Sequence, residues 1–119
     1  MNLGFDFWTS MNGLTPVEDF LQYEIRDVSV RLKIVDKIFR RSTRDMGELM
    51  RTGTIEKMAG EIWKLNLTYK KMEYRFLFAI DGDTGWLMVG FIKKDQKVRQ
   101  RHIDLAQQRL IEFKSQFNK

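Results

Sequence analysis

The chain has 119 residues, enough for one domain with one real core, and its balance of 43% hydrophobic to 31% charged residues argues against both disorder and a membrane-spanning architecture. It has no cysteine, which removes disulfide frames, thiolate metal sites and cysteine nucleophiles, and its single histidine, His102, argues against a histidine-based zinc site or a Ser-His-Asp triad. The net charge of +5 is unevenly placed: residues 1–60 carry nine basic and nine acidic groups, residues 61–119 twelve and seven.

Phe5 and Phe7 alternate with Gly4, Asp6 and Trp8, a period of two that predicts a short first strand. After a turn at Met11–Leu14, the run Thr15-Pro16-Val17-Glu18 reads as a helix start, with Thr15 as N-cap, Pro16 at the first helical position and Glu18 closing a capping box. Val17, Phe20, Leu21, Ile25 and Val28 then share one face, predicting a helix over about residues 16–27. A second helix is expected from about Val30 to Met50, weakened by Gly47 and stopped at Gly53.

The period then returns to two. Trp63, Leu65 and Leu67 fall on one side of a strand over 61–68, with Lys64 in the opposite phase. Tyr74, Phe76 and Phe78 face one way in the next strand, and Glu73, Arg75, Leu77 and Ala79 the other. Asp81-Gly82-Asp83-Thr84-Gly85 is a hairpin turn by composition, and Trp86 to Ile92 a buried strand. Residues from about Arg99 to Phe117 close the chain as a helix, with Ile103, Ala106, Leu110, Phe113 and Phe117 at spacings of three and four. The order is β-α-α-β-β-β-α, an α+β layout with helices packed on an antiparallel sheet. The longest uncharged apolar run, Gly85 to Ile92, is far short of the ~20 residues of a transmembrane helix. The first residues, Met1 to Asp6, show no basic-then-apolar leader. A single soluble, cytoplasmic domain over 1–119 is expected, with no membrane partner. From Lys93 to Arg101 five basic side chains face one acid, Asp95, a density that suits a polyanion and, in a soluble protein, nucleic acid.

Several short motifs, in this order, resemble the RelE/ParE toxin superfamily, and in detail the HigB-like, phage-associated branch of type II toxin–antitoxin toxins. They are Pro16-Val17-Glu18-Asp19-Phe20-Leu21, Glu61-Ile62-Trp63-Lys64-Leu65, Tyr74-Arg75-Phe76-Leu77-Phe78 and Phe91-Ile92-Lys93-Lys94-Asp95-Gln96-Lys97, followed by Ile103 and Ala106, and the likeness covers about residues 15–113. The sequence departs from the family pattern at Asn66, where an Arg that holds phosphate is usual, at Asp95 in place of Thr, and at Val98-Arg99 in place of Thr-Pro. The stretch from Asn66 to Glu73 also looks longer than usual, which raises Lys70 and Lys71 as possible additions to a site.

The resemblance implies a RelE-like fold and a metal-independent endoribonuclease that needs no cofactor and cleaves messenger RNA on the ribosome. It also implies a small DNA-binding antitoxin as partner. In that chemistry the RNA's own 2′-hydroxyl attacks the adjoining phosphate, so the protein supplies cations and proton transfer and no nucleophile. The catalytic candidates are Arg75, Lys93, Lys94 and Lys64, and the RNA-binding candidates Lys97, Arg99, Arg101 and His102. Arg75 suits charge stabilisation, since a guanidinium stays charged and can hold two phosphate oxygens. Lys93 and Lys94 should point to opposite faces if the strand continues through them, so at most one shares a face with Arg75. The other reading of Arg75 is a strand residue paired with Glu73, and that of His102 a surface residue. Asn66 keeps open a second function: a catalytically weak, phage-borne relative that retains the fold as a nucleic-acid- or protein-binding module.

Overall fold

A computed structural model describes residues 1–40, 44–94 and 96–117. Residues 41–43 of the expected second helix and Asp95 of the basic run lie outside the described residues. The elements are β1 (Asn2–Phe7), α1 (Pro16–Glu24), α2 (Val28–Arg40), β2 (Arg44–Asp45), α3 (Met46–Arg51), β3 (Ile55–Ala59), β4 (Ile62–Tyr69), β5 (Met72–Asp81), β6 (Thr84–Ile92) and α4 (Gln100–Phe117). The α+β layout holds, compatible with a RelE-like fold, and β2, α3 and β3 are additions to it.

The first two helices are separated by capping. Asp27 accepts from the backbone N–H groups of Ser29 and Val30 at 2.9 and 3.3 Å and from the Ser29 hydroxyl at 2.7 Å, which starts α2 after only three intervening residues. These hydrogen bonds, led by that from Ser29 Oγ, hold the Asp27 carboxyl below the usual carboxylate range. Arg31 reaches back from α2 to donate to the carbonyls of Leu21, Ile25 and Gln22, so one guanidinium closes the open end of α1. The expected capping box does not form: the Thr15 hydroxyl donates to Asp19 Oδ1 at 3.4 Å and caps no backbone N–H.

The long second helix is also corrected. Asp45 accepts from the Glu48 N–H at 3.1 Å and starts α3 as a separate helix, while Arg44 and Asp45 pair antiparallel with Leu3 and Asn2 of β1. A side chain that caps a new helix start competes with continuing the old helix.

The six strands form one sheet in the order β2-β1-β6-β5-β4-β3. From β3 to β6 consecutive strands are joined by two-residue turns and run antiparallel. The turn between β4 and β5 is Lys70-Lys71, both at positive φ (49° and 65°), the geometry of a two-residue hairpin whose twist matches its strands. The longer loop expected there is therefore a tight turn. An all-antiparallel sheet is overturned at one junction: β1 pairs with β6 in parallel, Gly4 to Phe7 against Thr84 to Leu87. A long crossover separates these two strands, so no hairpin forces them to oppose.

Both faces of the sheet are covered. Leu65, Leu67, Tyr74, Phe76 and Phe78 pack with Val17 and Leu21 of α1 and Ile34 and Ile38 of α2. Ile62, Leu77, Ala79 and Val89 pack on the opposite face with Ala106 and Phe113 of α4. Trp8, Trp63 and Trp86 all pack: Trp8 is buried, Trp63 lies stacked on Phe78, and Trp86 meets Phe113. The far end of α4 is tied to the segment after β1, because Gln116 accepts from Trp8 Nε1 at 3.1 Å and donates to the Thr9 carbonyl at 3.0 Å.

The Phe20 ring of α1 lies directly over the backbone of β6 at Gly90, where an added Cβ would sit 2.6 Å from Phe20 Cδ2. Gly90→Ala is therefore expected to push Phe20 off β6 and destabilise the fold by about 1–3 kcal/mol. Urea denaturation would show it as a lower midpoint with an unchanged slope.

Candidate nucleic-acid interface

Pairing between β1 and β6 ends at Leu87, while β6 runs on to Ile92. Where β1 leaves, the chain is finished by side chains: Arg109 of α4 donates to the Met88 carbonyl at 2.6 Å, at a register shift opposite Leu77 and Phe78. Beside this freed end of β6 lies a groove of about 620 Å³. Its base is Val89 to Ile92; one wall is the β6–α4 connection with the start of α4, and the other is α1, through Asp19, Phe20, Tyr23 and Glu24.

All eight candidate residues line this one groove: Lys64, Arg75, Lys93, Lys94, Lys97, Arg99, Arg101 and His102. Arg75 is only 7% exposed. It stands on the α4 face of β5, opposite Asn66 of β4 and Phe91 of β6. Its guanidinium donates to Glu73 Oε1 at 2.8 Å and to the Tyr74 carbonyl at 3.3 Å. The other oxygen of Glu73 lies 3.5 Å from Lys93 Nζ, so one carboxylate holds two cations at the edge of the groove. The hydrogen bond from Arg75 is the main reason that the Glu73 carboxyl sits below the usual range. Arg75 thus has both the pairing with Glu73 and the place in the groove, and these contacts use two of the five donors a guanidinium carries.

Lys93 continues the β5–β6 ladder with an N–H bond of 2.8 Å to the Glu73 carbonyl and shares the carboxylate of Arg75's partner. Lys94 is exposed at the rim; it also lines the groove because β6 has ended at Ile92 and strict alternation no longer applies. Lys64 projects on the α4 face and is paired with Glu56 at 3.3 Å. His102 is half-buried, which corrects its reading as a surface residue: its ring stacks on Phe91 with 4.1 Å between centroids and 4° between planes. Burial, and then Arg101 and Arg99 beside it, lower its pKa from the ordinary imidazole value.

Two expectations place differently. Asn66 does not line the groove; its side-chain amide donates to the Gly53 carbonyl at 2.9 Å and its backbone N–H to the Thr54 carbonyl at 2.8 Å, tying β4 to the turn after α3. Lys70 and Lys71 form the far hairpin, with Lys70 over the Tyr69 ring, and lie outside the groove lining. Sequence reasoning missed Arg109, although an arginine between Ala106 and Phe113 on the inward side of α4 marks a polar demand within a packed face. It also missed the α1 wall, for which only the tertiary packing carries a signal.

The groove lining holds eight Lys or Arg side chains against two carboxylates, Asp19 and Glu24. Such an excess focuses a positive potential between low-dielectric walls and attracts a polyanion. Among the described residues there is no group of three or more His, Cys, Asp or Glu side chains placed to hold a metal ion, and no helix is long and apolar enough to cross a membrane.

A sheet of this order with a basic groove at its freed strand end is compatible with a RelE-like fold. Residues 24–111 match the family described as phage derived protein Gp49-like (DUF891), and the chain belongs to that family, which is of the RelE/ParE toxin type. No curated protein and no solved structure matches it significantly.

Because the folded-state pKa of Glu73 is depressed, its pairing contributes stability above the usual carboxylate range that is lost as pH falls through the depressed value. Glu73→Gln lacks that contribution. The gap in denaturation midpoint between wild type and variant is expected to narrow as the buffer is taken from about pH 7 to about pH 3.

Proposed function

We propose that this chain is the toxin of a HigB-like type II toxin–antitoxin system and acts as an endoribonuclease on messenger RNA at the ribosome, in the cytoplasm. The observation that carries the reading is the convergence of Arg75, Lys93, Lys94, Lys64, Lys97, Arg99 and Arg101 on one groove from four separate parts of the chain. The RNA 2′-hydroxyl is the nucleophile. Arg75, held at the groove edge by Glu73, offers its remaining donors to the phosphate, whose charge grows as the pentacoordinate phosphorane forms. Lys93 stands beside it as a second fixed cation. Lys97, Arg99 and Arg101 bring the polyanion in along the α4 wall. Family membership supports an antitoxin partner, and a small DNA-binding protein that covers this groove would silence it.

One observation favours a second reading. Asn66 is spent on the Gly53 turn, so the arginine usual at that position has no substitute there. A binding module with little catalysis would follow if Arg109 and Lys64 do not make up the lost charge.

Transcriptome-wide mapping of RNA 5′-ends minutes after induction separates the two. New ends inside coding frames that vanish in Arg75→Ala are expected of the nuclease; induction that neither stops growth nor makes new ends would favour the binding module. For binding alone, about four phosphate contacts predict a slope of roughly −3 in log K against log salt for single-stranded RNA. Arg101→Ala is expected to reduce that slope by about one.

A further inference from the structure

We propose that His102 takes the proton from the attacking 2′-hydroxyl, acting as the general base of the groove. The inference rests on the nuclease reading above and assigns a chemical duty that fixed cations cannot perform. Its geometric basis is a short relay of positions. Phe91 lies directly opposite Arg75 in the β5–β6 ladder and on the same face, so their Cβ atoms are about 5 Å apart. The His102 ring lies flat on Phe91 at 4.1 Å. Stacking occupies the face of the imidazole and leaves its nitrogens, which lie in the ring plane, free to meet a ligand. Among the described residues, no side chain hydrogen-bonds to them. Phe91 thus links Arg75 to His102, and all three line the same groove.

The surroundings favour the neutral, accepting form. Arg99, just before α4, and Arg101 on it flank His102, with Arg109 two turns on. Arg75 faces it from β5 with Glu73 attached, Lys93 from the end of β6 and Lys64 from β4, while Asp19 and Glu24 lie across the groove on α1. Burial and the neighbouring arginines keep the imidazole deprotonated at neutral pH, where a base is wanted. Once protonated, it adds a positive charge beside the phosphorane. The step balances without redox chemistry. The 2′-oxygen bonds to phosphorus as its proton passes to His102, the bond from phosphorus to the 5′-oxygen breaks, and that oxygen takes a proton from water. The products are a 2′,3′-cyclic phosphate and a 5′-hydroxyl.

The test is the pH–rate profile of single-turnover cleavage by the full chain, on bacterial ribosomes programmed with a short mRNA. RNA affinity is measured alongside. Wild-type cleavage is expected to rise with pH, break below about 6.5 and stay level above. His102→Gln is expected to lose on the order of 10²- to 10⁴-fold in rate, to lose that break, and to lose far less in RNA affinity than in rate, since a base acts after binding. In His102→Ala, added imidazole is expected to restore part of the rate. A His102→Gln protein that cleaves at the wild-type rate with the wild-type break overturns this proposal alone. If the variants do not fold, a wild-type profile with no break below neutrality overturns it equally. A wild type that binds RNA and cleaves none overturns the nuclease reading instead.

Discussion

The structure turns on one buried charge. Arg75 stands in the middle of β5, whose residues from Tyr74 to Ala79 are all buried because helices cover both faces of the sheet. A guanidinium in that position must be compensated, since an unpaired charge at such depth costs several kcal/mol. Glu73, two residues earlier on the same face, supplies the compensation and carries it to Lys93. The arrangement of the groove follows: the strand end that bears Lys93, the ring of Phe91 and, through that ring, His102 are all placed relative to one ion pair.

The groove lies where it does for a topological reason. β1 is shorter than β6 and leaves it at Leu87, and the end of β6 is then bounded by helices from both sides, α1 through Phe20 and α4 through Arg109. A sheet covered on both faces has few openings, and a strand that outruns its neighbour makes one. The absence of a side chain at Gly90 lets Phe20 close the α1 side tightly, so the opening is narrow and walled.

Much of this was legible locally. The alternation in β4 and β5 assigned Tyr74 and Phe76 to the core and Arg75 to the other face, because a period of two depends only on the strand's own residues. The chain stretch from Lys93 to Arg101 announced its charge directly. What stayed hidden depends on partners distant in sequence. β2 is two residues long and exists through pairing with β1; β3 carries Glu56 and Lys57 at its centre and is a strand because β4 lies beside it. The depth of His102 comes from Phe91, eleven residues earlier, and the acidic, aromatic α1 wall from the packing of Phe20. Asn66 shows the opposite case: a position notable by comparison with relatives has a local structural duty.

The freed end of β6 has a further consequence. The N–H bond from Lys93 to Glu73 fixes the ladder's alternation, so the backbone amides and carbonyls of Gly90 and Ile92 point away from β5, toward the side that β1 has left. An open strand edge of this kind invites edge-to-edge pairing between copies of a protein, the first step of many aggregates. Here any second copy approaching that edge brings its own Lys93, Lys94 and Lys97 against the same three charges. The basic groove thus guards this stretch of open backbone against a second copy, at ranges within a Debye length of about 10 Å. That guard weakens as salt rises, and it lapses when a polyanion neutralises the groove without also occupying the edge.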